Sequence, residues 1–129
     1  MKEQTNKTIK NNFNTSKSGS DAEQMAIDFL IKKNFKIIKK NFRLGKYGEI
    51  DIIAHDGDYL VFIEVKSRSN SDFGSPEEAV NTTKQRQIRR IAESYLYVNK
   101  ITDANCRFDV VAINFKGNSA EIRHIVNAF

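Results

Sequence analysis

The chain has 129 residues, 40% of them hydrophobic and 29% charged, with one proline, one cysteine and a formal charge of +5. That length suits one domain with tails, and the composition is that of a folded soluble protein rather than a disordered one. The lone Cys106 excludes an intramolecular disulfide, no apolar run approaches the ~20 residues of a membrane span, and no secretion signal is readable. The expectation is a cytoplasmic protein with no membrane partner, whose pI near 9.4 favours anionic ligands.

Residues 1–18 are mostly Lys, Asn, Thr and Ser with no periodicity, which predicts a flexible polar N-terminal tail before a domain spanning 19–129. Ser20 with Glu23 three residues on fits a capping box, and Ala26, Ile27, Leu30 and Ile31 form an apolar stripe, so a helix runs to about Lys33. Phe35 to Arg43 alternates apolar and basic residues and reads as a strand, ended by Gly45 and Gly48. Glu49–Ala54 and Tyr59–Lys66 are rich in Ile, Val and Phe around the turn sequence His55-Asp56-Gly57-Asp58, which predicts an antiparallel hairpin. Pro76 can begin a second helix, in which Ile88, Ile91, Ala92, Tyr95 and Leu96 share one face and Lys84, Arg86, Arg89 and Arg90 occupy others. Arg107–Phe115, a Lys-Gly-Asn turn and Ala120–Ile125 complete the order αβββαββ, an α/β fold with a mixed central sheet flanked by helices.

The chemistry lies in charges set among strand residues that otherwise read as buried. Asp51 falls within Glu-Ile-Asp-Ile-Ile, and Glu64 and Lys66 within Val-Phe-Ile-Glu-Val-Lys. Burying an ionised carboxylate costs several kcal/mol without a partner, so such positions mark a rim, an ion pair or a metal site. A two-residue turn at Asp56-Gly57 or Gly57-Asp58 places Asp51, Glu64, Glu49 and Lys66 on one face, with Ile50, Ile52, Ile63 and Val65 on the other. Two carboxylates and the Val65 carbonyl suit Mg²⁺ or Mn²⁺, hard cations that retain waters and accept phosphate oxygens. Lys66 would then orient a water or stabilise charge developing on phosphorus. Glu23 shares the apolar side of the first helix and Gln85 that of the second, so both are candidate supporting residues. Lys84, Arg86, Arg89 and Arg90 are the candidate nucleic-acid contacts. His55, His124 and Cys106 read as structural, Asp109 as a cap or a partner of Arg107, and Tyr47 and Phe73 as base-stacking or core-covering rings.

Gly48-Glu-Ile-Asp-Ile-Ile-Ala54, Phe62-Ile-Glu-Val-Lys-Ser-Arg68, Phe73-Gly-Ser-Pro-Glu-Glu-Ala79, Lys84-Gln-Arg86, Arg107-Phe-Asp-Val-Val-Ala112 and the closing Asn127-Ala-Phe129 together resemble the YraN-type family of small bacterial proteins, over about residues 20 to 129. That family is similar to the restriction-endonuclease-like superfamily, in particular the archaeal Holliday junction resolvases. Their active site follows the pattern Asp, then Glu-x-Lys, with an acidic residue on the preceding helix. The matching residues here are Asp51, Glu64, Lys66 and Glu23, although Asp21-Ala22 stands before Glu23 where the family usually has Gly-Glu at the start of that helix.

The resemblance implies a mixed sheet, a divalent cation and hydrolysis of phosphodiester bonds, with DNA, branched or damaged DNA included, as the expected substrate. The competing expectation is a non-catalytic nucleic-acid-binding or protein-interaction module that keeps the fold. A homodimer or a protein partner would enlarge the surface available to a junction.

Overall fold

Two helices with apolar stripes need two surfaces, and one sheet supplies both. A computed structural model of the chain describes residues 3–10, 19–69 and 80–129. The elements in order are β1 (Glu3–Lys10), α1 (Gly19–Lys32), β2 (Lys36–Arg43), a single 3-10 turn (Gly45–Tyr47), β3 (Glu49–Asp56), β4 (Tyr59–Arg68), α2 (Thr82–Val98), β5 (Asn105–Lys116) and β6 (Ser119–Val126). The strands form one six-stranded sheet in the order β1-β6-β5-β4-β3-β2. β4 and β5 are parallel and the other neighbours antiparallel, so the sheet is mixed. The connection between the two parallel strands contains α2, as a crossover between parallel neighbours requires.

Alternation along the central strands divides the core into two layers. Ala22, Ala26, Phe29 and Leu30 of α1 pack on Ile52, Ala54, Val61, Ile63, Val111 and Ile122. Ile88, Ile91, Ala92 and Tyr95 of α2 pack on the opposite face, against Ile53, Leu60, Phe62, Phe108 and Val110. The hairpin closes with Asp56 opposite Tyr59, leaving Gly57-Asp58 as the two-residue turn. Gly57 has φ 58°, which suits the first central position of a primed hairpin turn.

Three boundaries differ from the sequence reading. The segment 1–18, expected as a tail, contains β1, which pairs with β6 from Glu3↔Val126 to Lys10↔Ser119. Gln4 to Thr8 are all exposed, and this polar run carries no apolar alternation that could announce a strand. The element order is therefore βαβββαββ; residues 11–18 lie outside the described part. Helix α1 begins at Gly19, which puts Ser20 inside the helix rather than at its cap. Helix α2 begins at Thr82, where the Asn81 side chain accepts the Lys84 N–H at 2.9 Å; Pro76 and Phe73 lie outside the described residues. No described helix is long and apolar enough to cross a membrane.

Candidate active site

The β3–β4 ladder runs from Asp56↔Tyr59 to Ile52↔Ile63 and stops there. β3 itself continues in register with β2 as far as Arg43↔Glu49. Between the separating strands the Asp51 side chain takes over the role of the ladder, with Oδ2 accepting the Val65 N–H at 2.8 Å. The N–H and C=O of one strand residue point to the same edge, so the Val65 carbonyl is directed toward this gap as well. Where the ladder ends the alternation of β3 also slips: Ile50, expected beside Ile52, packs in the α2 layer with Ile53 and Phe62. Released from β4, the strand is free to turn its side chains with its own twist.

Asp51, Glu64 and Lys66 are brought together as expected. Glu64 is 5% exposed. Its Oε2 lies 3.9 Å from Lys66 Nζ and 3.5 Å from Lys84 Nζ, so the N-terminal turn of α2 reaches into the site. Burial first, and then the neighbouring Glu64 carboxylate, push Asp51 up to about 8, against the lowering effect of the Val65 N–H. Glu23, on the first turns of α1, is raised by partial burial and then by Glu49, while the Asn41 side chain and Lys40 pull the other way and Glu64 adds to the rise. Four carboxylates thus share one field at the open end of the sheet. Glu23 belongs to it and not to a capping box.

Among the described residues, no three His, Cys, Asp or Glu side chains assemble a ligand set by themselves. The donors available to a cation are the Asp51 and Glu64 carboxylates and the Val65 carbonyl, with the remaining positions left to water or phosphate. A hard cation of the Mg²⁺ type accepts such a set, because it is commonly held by one or two carboxylates and keeps several waters. The raised Asp51 carboxyl fits the same view: the field that retains a proton there also favours a divalent ion.

The remaining candidates are placed elsewhere. Gln85 Nε2 donates to the Val80 carbonyl at 3.0 Å, closing the turn before α2 instead of reaching a ligand carboxylate. Arg89 lies over the Phe108 and Phe129 rings, 4.7 and 5.6 Å from their centroids. Arg90 lies 4.3 Å over Tyr47 and donates to its hydroxyl at 3.3 Å. Arg86 is exposed. Tyr47 is therefore backed by an arginine, with 45% of its surface still accessible. Gln87, which the sequence did not single out, donates to the Tyr47 carbonyl. Gly48 has φ 116°, a conformation that calls for glycine; a Cβ there would come 2.8 Å from Gln87 Nε2, the movable end of that side chain.

Homology agrees with these motifs. The sequence profile of the uncharacterised protein family UPF0102 matches residues 22–113. The chain belongs to the UPF0102 family. It is 44% identical to a UPF0102 protein of Acetivibrio thermocellus, over 93% of this chain and 94% of that one. It is 45% identical to one of Geobacter metallireducens, over 86% and 90%, and 49% identical to one of Thermodesulfovibrio yellowstonii, over 86% and 94%. Asp51, Glu64, Lys66, Lys84 and Glu23 all lie within the span matched by the UPF0102 profile, whereas β1 and β6 lie outside it.

A second polar cluster lies in the α1 layer of this UPF0102 chain. Asp109 and His124 are fully buried. Arg107 Nε and Nη2 donate to the two Asp109 oxygens, each at 2.9 Å, and Nη2 also reaches Asp56 Oδ2 at 2.9 Å. His124 bridges Asp109 Oδ2 (2.8 Å) and Lys33 Nζ (2.7 Å). An ammonium only donates, so Nδ1 accepts from Lys33 and Nε2 carries the hydrogen toward Asp109. Burial acts to raise Asp109, but His124, Arg107 and the Asn127 N–H outweigh it and hold the carboxyl below its ordinary value. His124 is structural, as expected, and Asp109 pairs with Arg107 along one strand.

Proposed function

We propose that this chain is a metal-dependent nuclease that hydrolyses phosphodiester bonds in DNA, built on the restriction-endonuclease-like plan. The observation that carries this reading is the Asp51–Glu64 pair: two carboxyl groups held together against their own repulsion at the open end of β3 and β4, with Lys66 and Lys84 beside them. An ion pair made only for stability would not place two acids together in a half-dry gap, where Glu64 raises the cost of ionising Asp51.

In this reading Asp51, Glu64 and the Val65 carbonyl hold Mg²⁺ or Mn²⁺. When bound, the ion supplies Lewis acidity toward a phosphate oxygen and lowers the pKa of a coordinated water. The Val65 N–H fixes one Asp51 oxygen, and the Asp51 carboxyl also meets that of Glu64, the contact a cation held by both would replace. Lys66, a third exposed, presents its ammonium where negative charge would grow on the phosphorus oxygens or where a water must be aligned. Lys84 anchors Glu64 from the helix side. Glu23 and Glu49 complete an acidic surround that attracts cations and would repel substrate phosphates left without them.

The test is cleavage of labelled branched, damaged and linear DNA in Mg²⁺ or Mn²⁺ by the unmodified protein and by Asp51→Asn, Glu64→Gln and Lys66→Ala. We expect activity to fall about a hundredfold or more in each, the scale seen when a group acting on the transition state is removed. Full activity in Asp51→Asn would sink the reading. DNA binding without cleavage by the unmodified protein would favour a non-catalytic module on the same fold.

A further inference from the structure

On sequence the basic face of α2 is the natural nucleic-acid surface, but three of its four cations have partners within the molecule: Lys84 beside Glu64, and the exposed Arg89 and Arg90 stacked on Phe108 and Phe129 and on Tyr47. The opposite holds for β2. It is the last strand of the sheet, and Lys36, Lys39, Lys40 and Arg43 on it and Lys46 on the following turn are all exposed. No acidic residue interrupts the sequence from Lys36 to Tyr47. Among the described residues, Lys36, Lys39, Arg43 and Lys46 have no ion-pair or ring partner.

The register arranges these charges. A bulge between Ile37 and Lys39 sets Lys36 opposite His55 and Lys39 opposite Ile53, so two lysines three residues apart point to one face; strict alternation would have opposed them. At the other end Arg43 lies opposite Glu49 in the ladder without an ion pair between them, and Lys40 acts on Glu23. The basic strip therefore runs into the carboxylate site. Protection of a sheet edge against pairing also uses lysine. It does not require this many, because the opposite edge, β1, presents only Lys7 among its exposed residues Gln4 to Thr8.

We propose that the outer edge of β2 and the Gly45–Tyr47 turn form the docking surface for the phosphate backbone of duplex DNA flanking the site. Eight strand residues span about 26 Å, enough to follow roughly seven or eight base steps. That this DNA is also the substrate rests on the nuclease reading; the docking itself does not, and is measured without metal or turnover.

The experiment is fluorescence anisotropy with a labelled DNA duplex longer than the strip, in EDTA, across a series of salt concentrations. It compares the unmodified protein with Lys36→Gln/Lys39→Gln/Lys46→Gln and with Arg89→Gln/Arg90→Gln, after melting curves show each to be folded. We expect the lysine variant to bind about tenfold or more weakly at low salt, and its log–log salt slope to shrink by about 0.9 for each phosphate that is no longer neutralised. The arginine variant should stay within about threefold of the unmodified protein. Equal binding by the lysine variant, a larger drop in the arginine variant, or no duplex binding by the unmodified protein would each overturn the proposal. Asp51→Asn keeps the docking surface, so it should bind normally while failing to cleave. Cleavage that survives in Asp51→Asn would count against the nuclease reading alone.

Discussion

Asp51 keeps its proton near neutral pH because it is partly dry and sits beside Glu64, and this has a thermodynamic consequence. Its ordinary value of 3.8 rises to about 8 in the folded chain, so between those limits the folded state holds a proton that the unfolded state has released. Stability of the metal-free protein should therefore fall as pH climbs from about 4 to about 8, and level off above. Asp51→Asn keeps an acceptor for the Val65 N–H and removes the carboxyl. We expect it to be more stable than the unmodified protein at pH 8 by on the order of 1–2 kcal/mol, and nearly equal at pH 4. Added Mn²⁺ should raise the melting temperature of the unmodified protein and not of the variant. Urea melts at the two pH values decide it; a parallel pH dependence in both proteins would contradict the origin assigned here. At this scale Asp51, Glu64 and Lys66 were legible, since a charge between β-branched residues is costly wherever the strand goes. Lys84 was not legible as a partner of Glu64, because nothing in a helical spacing says which strand residue the helix end will meet.

At the scale of elements, the cap of α2 and the edge strand β1 make contrasting predictions. Asn81 satisfies the Lys84 N–H, and the same first turn carries the lysine that contacts Glu64. Asn81→Ala should cost about 1 kcal/mol in a thermal or urea melt, and an unchanged melt would show the cap to be dispensable. Among the described side chains of β1, Gln4 to Thr8 are exposed, and what they add to the backbone bonds is the Lys33–Thr5 contact at 3.3 Å. Each backbone hydrogen bond contributes about 0.5–1.5 kcal/mol net, and ordering each residue costs about 1–2 kcal/mol, so the two nearly cancel. Deleting residues 1–10 should then change stability by no more than about 2 kcal/mol and leave the carboxylate site intact. A larger effect, or failure to fold, would mean that β1 supports the core. The balance also explains why β1 escaped the sequence reading, whereas the hairpin, with alternating Ile and Val around a Gly-Asp turn, did not.

The whole molecule is fastened by the Arg107–Asp109–His124 cluster, which joins the end of α1, the β3–β4 turn and the two C-terminal strands. Asp109 is held below its ordinary 3.8, so the folded state releases a proton that the unfolded state keeps. Its contribution is present above about pH 4 and is lost as pH falls through the folded value. Asp109→Asn leaves Arg107 without its buried anion and should cost about 3–5 kcal/mol, with the deficit narrowing in acid. Equilibrium unfolding between pH 3 and 7 measures this, and a constant deficit across the range would locate the cost in packing rather than charge. Asp51 and Asp109 thus pull the pH profile in opposite senses, from two separate clusters on one sheet.

Periodicity, turn chemistry and the misfit of charges within apolar strands were local properties, so the sequence alone determined two helices, the five strands from β2 to β6, the hairpin with a two-residue turn and the acidic pair, while the choice between the hairpin's two possible registers was left to the structure. Tertiary structure decided what depends on distant neighbours: the polar strand added to β6, the end of the β3–β4 ladder that opens the site, the meeting of Lys84 with Glu64, and the engagement of the α2 arginines by rings. A side chain's spacing states which face it occupies, but only the packed chain states what it meets there. That is why the carboxylates could be read directly, while the surface left free for an anionic partner could be found only after the other cations had been accounted for.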